Sequence, residues 1–222
     1  MSPPLRLLSC VAAFLVTGPA FGQATTRPCG LDEAPGPACL LARKDLPSVD
    51  RKSVYWHLDS FPSKAAAQDS LTANGTIVEA FDKIWLFTIA PRAWRAKHGR
   101  HVARLGPLPL DPAPRYTAEY LRSVFTPGMT APLHVHSGPE AFYAVSGDTC
   151  LETPEGVQMG RGPGNSLMIR AGPPMLLMAI GQQPRRGFAL ILHDGARQPT
   201  TLTHDWHPTG LCERQLTQGR AR

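Results

Sequence analysis

From Tyr116 onward the chain breaks into short apolar runs, each bounded by glycine, proline or a polar turn. The runs are Tyr116–Phe125, Leu133–His136, Ala141–Val145, Thr149–Glu152, Ser166–Arg170, Met175–Ile180 and Phe188–Leu192. Short runs with regular turn signals predict the strands of a sandwich or barrel. Upstream, Ser53–Phe61 reads as a strand by its β-branched and aromatic content. Thr76–Phe81 and Ile84–Ile89 read as a strand pair turning at Asp82–Lys83. Ser63 is placed to cap a short helix over Lys64–Leu71, which Asn74–Gly75 stops. Residues 23–50 show no apolar period and read as an irregular arm. Residues 91–114 read as a long Pro- and Arg-rich connection, and the Thr-rich tail after Asp194 as a surface wrap. No period of 20–50 residues repeats, which excludes a solenoid. The predicted fold is all-β.

Composition agrees. Among 222 residues there are 23 Pro and 20 Gly, which suits many turns better than long helices. The expected segments are 1–22, 23–50, 51–114, 115–194 and 195–222. The first reads as a signal peptide: Arg6 precedes the apolar run Leu7–Val16, and Ala20-Phe21-Gly22 puts small residues at the cleavage positions. That run is too short to span a bilayer, so no stable membrane anchor is expected after cleavage. Cys10 gives only a faint lipoprotein box with almost no apolar stretch before it. Removing the segment takes away Arg6 alone and lowers the net charge from +6 to +5, 22 basic against 17 acidic residues. The charge is scattered, which argues against a nucleic-acid partner. The expected location is secreted or periplasmic.

Cleavage would leave Cys29, Cys39, Cys150 and Cys212, an even number that favours disulfides in an oxidising compartment. Four cysteines allow three connectivities. The preferred one joins Cys29 to Cys39 across a turn-rich loop and Cys150 to Cys212, pinning the tail; the alternative leaves Cys150 a free thiol.

The candidate chemistry lies between Gly128 and Gly147. His134 and His136 are separated by one residue, so on a strand they share a face. Gly138-Pro139 turns the chain, and Glu140 starts the next strand, able to swing back to the same point. Two imidazoles and a carboxylate on neighbouring strands make a facial triad with open positions on a divalent metal. The pattern resembles the first signature of the cupin superfamily: glycine, five residues, His-x-His, three or four residues, glutamate, six residues, glycine. A chance match at every position is roughly one in ten thousand, so the motif is specific. The resemblance covers about Tyr116 to Asp194. It implies a double-sheet jelly-roll barrel holding a metal on His134, His136 and Glu140, with iron, manganese, copper or zinc all suited.

The second cupin signature is weaker. Counting from Gly164, Arg170 stands for the proline, Gly172 keeps the glycine, Met175 replaces the histidine and Ala179 the asparagine. The usual fourth ligand is therefore missing. Met175 reads as barrel filler; as a thioether ligand it would favour copper. His193, on one face with Ala189 and Ile191, is the other candidate fourth ligand, against its reading as a polar cap at a strand end. His204 and His207 read as surface histidines, Arg92–Arg104 as a solvated loop, and Asn74-Gly75-Thr76 as a glycosylation acceptor that matters only in a eukaryotic secretory pathway.

Three functions suit this pattern. The first is a metal-dependent oxidoreductase acting on a small molecule, with aromatic residues such as Phe142 lining the pocket. The second is a non-catalytic export-side protein binding a metal or small ligand. The third, a metal-free sugar isomerase or epimerase, lacks an evident His–carboxylate proton-transfer pair and is disfavoured by the triad. Monomer and homodimer both stay open.

Overall fold

The computed structural model describes residues 26–47, 49–50 and 54–220. In chain order its elements are β1 (Gly36–Leu46), β2 (Tyr55–Phe61), α1 (Lys64–Gln68), β3 (Gly75–Ala80), β4 (Lys83–Ala90), β5 (Arg100–Leu105), β6 (Tyr116–Phe125) and β7 (His134–His136). These are followed by β8 (Glu140–Ser146), β9 (Asp148–Thr153), β10 (Gly156–Gly160), β11 (Ser166–Ile169), β12 (Leu176–Ile180), β13 (Arg185–Asp194), β14 (Thr200–Leu202) and α2 (Leu211–Arg220). The fold is all-β, and the strand pairings within its sheets are antiparallel.

A five-stranded sheet, β1-β6-β13-β8-β11, is the centre of the molecule. Strand alternation sends its two sets of side chains into different cores. Tyr120, Phe188 and Leu190 enter a large outer core with Trp56, Trp85 and Phe87 from the sheet β3-β4-β2-β5. Phe125 and Phe142 face the other way and meet Leu151, Leu177 and Ala179 of β10-β9-β12. The central and facing sheets form the barrel. Covered on both faces, β6 is buried at all ten positions. That double burial explains why its sequence lacks a clean two-residue alternation. Phe188 is wedged between Phe87 at 5.0 Å and Trp85 at 5.1 Å between ring centroids, edge-on to both, an arrangement that adds to plain area burial.

Local signals are mostly realised. The Ser63 hydroxyl accepts from the Ala66 N–H at 3.1 Å and caps α1, which ends at Gln68 rather than Leu71. The β3–β4 turn falls one residue earlier than expected, on Phe81 and Asp82, both left-handed at φ 54° and 57°. A type I′ turn requires that conformation. Phe81 tolerates it because its ring packs on Phe188 and its N–H donates to Glu33 Oε1 at 2.5 Å.

Three expectations are corrected. Residues 23–50 are not wholly irregular: β1 lies within them and pairs with β6 from Gly36↔Val124 to Leu46↔Tyr116, with two register shifts. Those interruptions hide its periodicity in the sequence. The connection 91–114 contains β5, an edge strand on β2. Its exposed Arg100 and His101 mask the pattern there. The tail after Asp194 does more than wrap the surface, because β14 pairs with β7 and α2 follows. The expected signal peptide and Cys10 lie outside the described residues. Among the described residues no helix is long and apolar enough to cross a membrane.

Both preferred disulfides are present, Cys29–Cys39 and Cys150–Cys212. The second docks α2, where buried Glu152 accepts from the N–H groups of Thr209 at 2.6 Å and Cys212 at 3.0 Å. Opening it with Cys212→Ala should cost about 2–5 kcal/mol in denaturant melts. Thiol titration of unfolded, unreduced mature protein should find no free cysteine.

The outer sheet carries a buried histidine. His57 lies beside Trp94 and hydrogen-bonds through Nε2 to the Pro91 carbonyl at 3.1 Å. Burial lowers its pKa from 6.5 to about 4, with His101, Arg104 and Arg95 adding to the effect against the raising influence of Pro91. Between those values the unfolded chain takes up the proton first, so this residue's contribution to stability falls as pH drops from 6.5 to about 4. Urea melts across that window should show a shallower pH slope for His57→Gln than for wild type.

Candidate metal centre

His134 and His136 are the two ends of the three-residue strand β7, so their rings project to one side. β7 is held on both edges. β14 pairs with it, Thr200 opposite His136 and Leu202 opposite His134. On the other edge the Met175 N–H donates to the His134 carbonyl at 3.0 Å. The chain then turns through Gly138, where a Cβ would stand 2.1 Å from the Leu192 carbonyl oxygen. Only glycine lets the turn press this closely on β13 and return Glu140 to the two rings.

The three side chains are nearly fully buried, and their ligand atoms lie within 4.8 Å of one another. His134 Nε2 is 2.9 Å from His136 Nε2, which in turn is 2.8 Å from Glu140 Oε2. The outer nitrogens fix the tautomers. His134 Nδ1 lies 2.5 Å from the Pro132 carbonyl, and His136 Nδ1 lies 3.1 Å from the Pro199 carbonyl and 3.1 Å from Thr200 Oγ1. Carbonyl oxygens only accept, so each Nδ1 carries a hydrogen, and each Nε2 is the atom left to take a proton or a metal. Two neutral rings at 2.9 Å would oppose their lone pairs, which either a proton on His136, directed at Glu140, or a bound metal cation relieves. The donor set, two imidazoles and a carboxylate with outer nitrogens anchored, fits a divalent transition metal.

The electrostatics agree. Burial lowers the pKa of His134, and His136 beside it adds to the effect. Burial also opposes charge on His136, but the Glu140 carboxylate and its hydrogen bond outweigh it and the pKa rises. A proton on His136 beside Glu140 therefore competes with a metal for the same atoms.

The triad opens on a barrel cavity of about 350 Å³. Phe125, Phe142, Leu177 and Ala189 make much of its wall, and apart from the triad its polar lining is Thr26, Arg27, Ser123 and Thr200. Met175 is buried and lines this same cavity beside His134. His193 does not join the group: its Nδ1 lies 2.8 Å from the Asp194 carbonyl, and it lines a separate small pocket with Ser137 and Pro139. His204 and His207 are exposed, and none of Arg92–Arg104 reaches the cavity. Thr200 and the Pro199 carbonyl escaped the sequence reading. Their signal, a short Thr-Thr-Leu run in a polar tail, is too brief to mark a strand.

No family model matches the chain, and no curated protein matches it. Solved structures do. The DMSP lyase DddQ from Ruegeria pomeroyi is 17% identical over 39% of this chain and 43% of its own, with a TM-score of 0.34. A cupin-like protein from Thermotoga maritima is 14% identical over 46% of this chain and 72% of its own, with a TM-score of 0.36. Salicylate 1,2-dioxygenase from Pseudoaminobacter salicylatoxidans is 15% identical over 34% of this chain and 19% of its own, with a TM-score of 0.28. The chain thus spans less than half of the lyase's length. The activities in those names belong to those proteins. The resemblance to the cupin signature rests on this chain's own motif, which antiparallel sheets carry.

Met175→Leu is nearly volume-conserving and should cost less than about 1.5 kcal/mol in stability. Titration with Cu(I) and Zn(II) should give unchanged affinities. Selective loss of Cu(I) affinity would make the thioether a ligand.

Proposed function

We propose that this cupin is an exported metalloprotein in which His134, His136 and Glu140 hold one divalent transition metal, and that it acts as a metal-dependent oxidoreductase on a small organic molecule in the barrel cavity. The observation that carries the reading is the convergence of His134, His136 and Glu140, whose ligand atoms lie within 4.8 Å of one another, with both Nδ1 hydrogens committed to backbone carbonyls so that the Nε2 atoms face the shared point. A metal on this triad would supply Lewis acidity and, for iron, manganese or copper, redox chemistry.

The chain's own groups do the rest. The carbonyls of Pro132 and Pro199 stop the rings rotating, which presets the triad before anything binds. Glu140, one oxygen 2.8 Å from His136, supplies the negative charge that offsets part of a dication. Phe125, Phe142 and Leu177 give the cavity a dry wall that excludes water from a bound substrate. The two disulfides suit an oxidising compartment and support export.

A second reading, a non-catalytic carrier of a metal or small ligand, is favoured by Met175 standing beside His134, where cupins usually place a fourth ligand. Elemental analysis of protein taken from its exported compartment separates the two. One equivalent of iron, copper or manganese sustains the oxidoreductase; zinc, or no metal, favours the carrier.

His134→Ala and His136→Ala should each abolish stoichiometric metal while the β-sheet circular dichroism spectrum persists. A chelator should lower the Tm of wild type and leave both variants unmoved, since a ligand stabilises only the state that binds it. Full metal content in both variants would place the metal elsewhere.

A further inference from the structure

The inner face of β13 runs Arg185, Gly187, Ala189, Ile191; the last two line the cavity, and Arg185 lies beyond them at its inner end. Arg185 is 0% exposed. No carboxylate pairs with it among the described residues. Instead the guanidinium bridges the barrel: Nε–H donates to Thr149 Oγ1 on β9 at 2.9 Å, and Nη1–H donates to Ser123 Oγ on β6 at 2.9 Å. Its Nη2 is buried with no partner. Gly187 makes room for it, since a Cβ there would stand 3.1 Å from the guanidinium carbon and 2.6 Å from the Tyr143 carbonyl oxygen.

Burying a cation without a counter-charge is costly unless something completes the site. Burial does hold the Arg185 pKa down to about 10, with distant Glu140 only partly opposing it. Glu140 is already committed at the triad. The hydroxyls show where the completing group belongs. Because Ser123 Oγ accepts from the guanidinium, its own O–H is left to donate, and no acceptor for it is found among the described residues. Ser123 lines the cavity. An otherwise apolar inner wall therefore presents one hydroxyl donor with a positive charge behind it.

We propose that Ser123, backed by Arg185, is an anion subsite at the inner end of the cavity, and that the ligand is a small organic acid. Its carboxylate accepts from the Ser123 hydroxyl, and its apolar body lies along Phe125, Phe142 and Ala189 toward the triad. Ser123 is the binding residue; Arg185 is a positioning residue that acts through it. The inference rests on the cavity being the ligand site and stands whether or not the triad metal is redox-active.

The test is calorimetry at neutral pH on the protein as purified, with straight-chain acids from acetate to octanoate and with benzoate, each against the alcohol of the same skeleton. At least one acid should bind about tenfold or more tighter than its alcohol, the worth of a hydrogen bond to a charged group. Ser123→Ala should abolish that preference by weakening acids at least about fivefold more than alcohols, and elemental analysis should show its metal content unchanged. Arg185→Gln, which keeps donors but removes the charge, should also abolish the preference; if it fails to fold, Ser123→Ala alone decides.

The subsite is overturned if no acid is preferred, or if Ser123→Ala weakens acids and alcohols alike. It is also overturned if the preference survives Ser123→Ala but is lost in Arg27→Ala, which would put the anion at the cavity rim, or in His134→Ala, which would put it on the metal. Metal bound with no acid preference removes the subsite alone. Ser123-dependent acid binding in a protein without triad metal removes the metal reading alone.

Discussion

The structure depends on one constraint: the central sheet must satisfy two different interiors at once. Alternate residues of β6 and β13 serve opposite masters. Tyr120, Phe188 and Leu190 build a dense aromatic core against the outer sheet, whereas Ser123, Phe125 and Ala189 leave space on the barrel side. Dense packing on one face makes the sheet rigid enough to hold a cavity open on the other. The outer sheet is thus a buttress, and its aromatic weight explains how a barrel with a void inside it remains stable. A one-residue slip of β13 against β6 would exchange the two faces completely, sending Phe188 into the cavity and Ala189 into the aromatic core.

Much of this was legible because the inner half of the chain obeys local rules. The barrel strands after Tyr116 stand out as apolar runs cut by glycine and proline, and His134, His136 and Glu140 fall on a spacing that strand geometry converts directly into convergence. Ser63 reads as a cap because a helix start leaves N–H groups that its hydroxyl can accept. What stayed hidden depends on long-range contact. β1 is interrupted by register shifts that only its partner β6 reveals. β10 is partly exposed on both sides and bears Gln158 and Met159 outward, so it carries no buried stripe to recognise. The inner face containing Ala189, Ile191 and His193 was visible in the sequence; carried back by the same alternation it reaches Arg185. A doubled arginine before a glycine looks like a solvated turn, and nothing in the local sequence says that one of the two is sealed inside.

The interior of the barrel is polarised as a result. One end gathers imidazole and carboxylate donors that want a cation, and the other buries a guanidinium behind a hydroxyl. Between them the wall is apolar. If the proposed metal and anion subsite are both occupied, such an arrangement would select by orientation as well as by size, since a molecule with one charged end and one reactive end would fit one way round and not the other.

The Pro199 carbonyl has a consequence in time as well as in space. It lies 63 residues downstream of the ring it restrains. Until that distant stretch lies alongside β7, His136 lacks the carbonyl that orients its ring, and the arrangement of the two imidazoles is incomplete. The geometry of the group therefore depends on chain that follows it, in a tail that β14 and the Cys150–Cys212 disulfide hold against the barrel. For the proposed metal, an ion taken up before the tail has docked would meet a less ordered set of donors than one taken up afterwards.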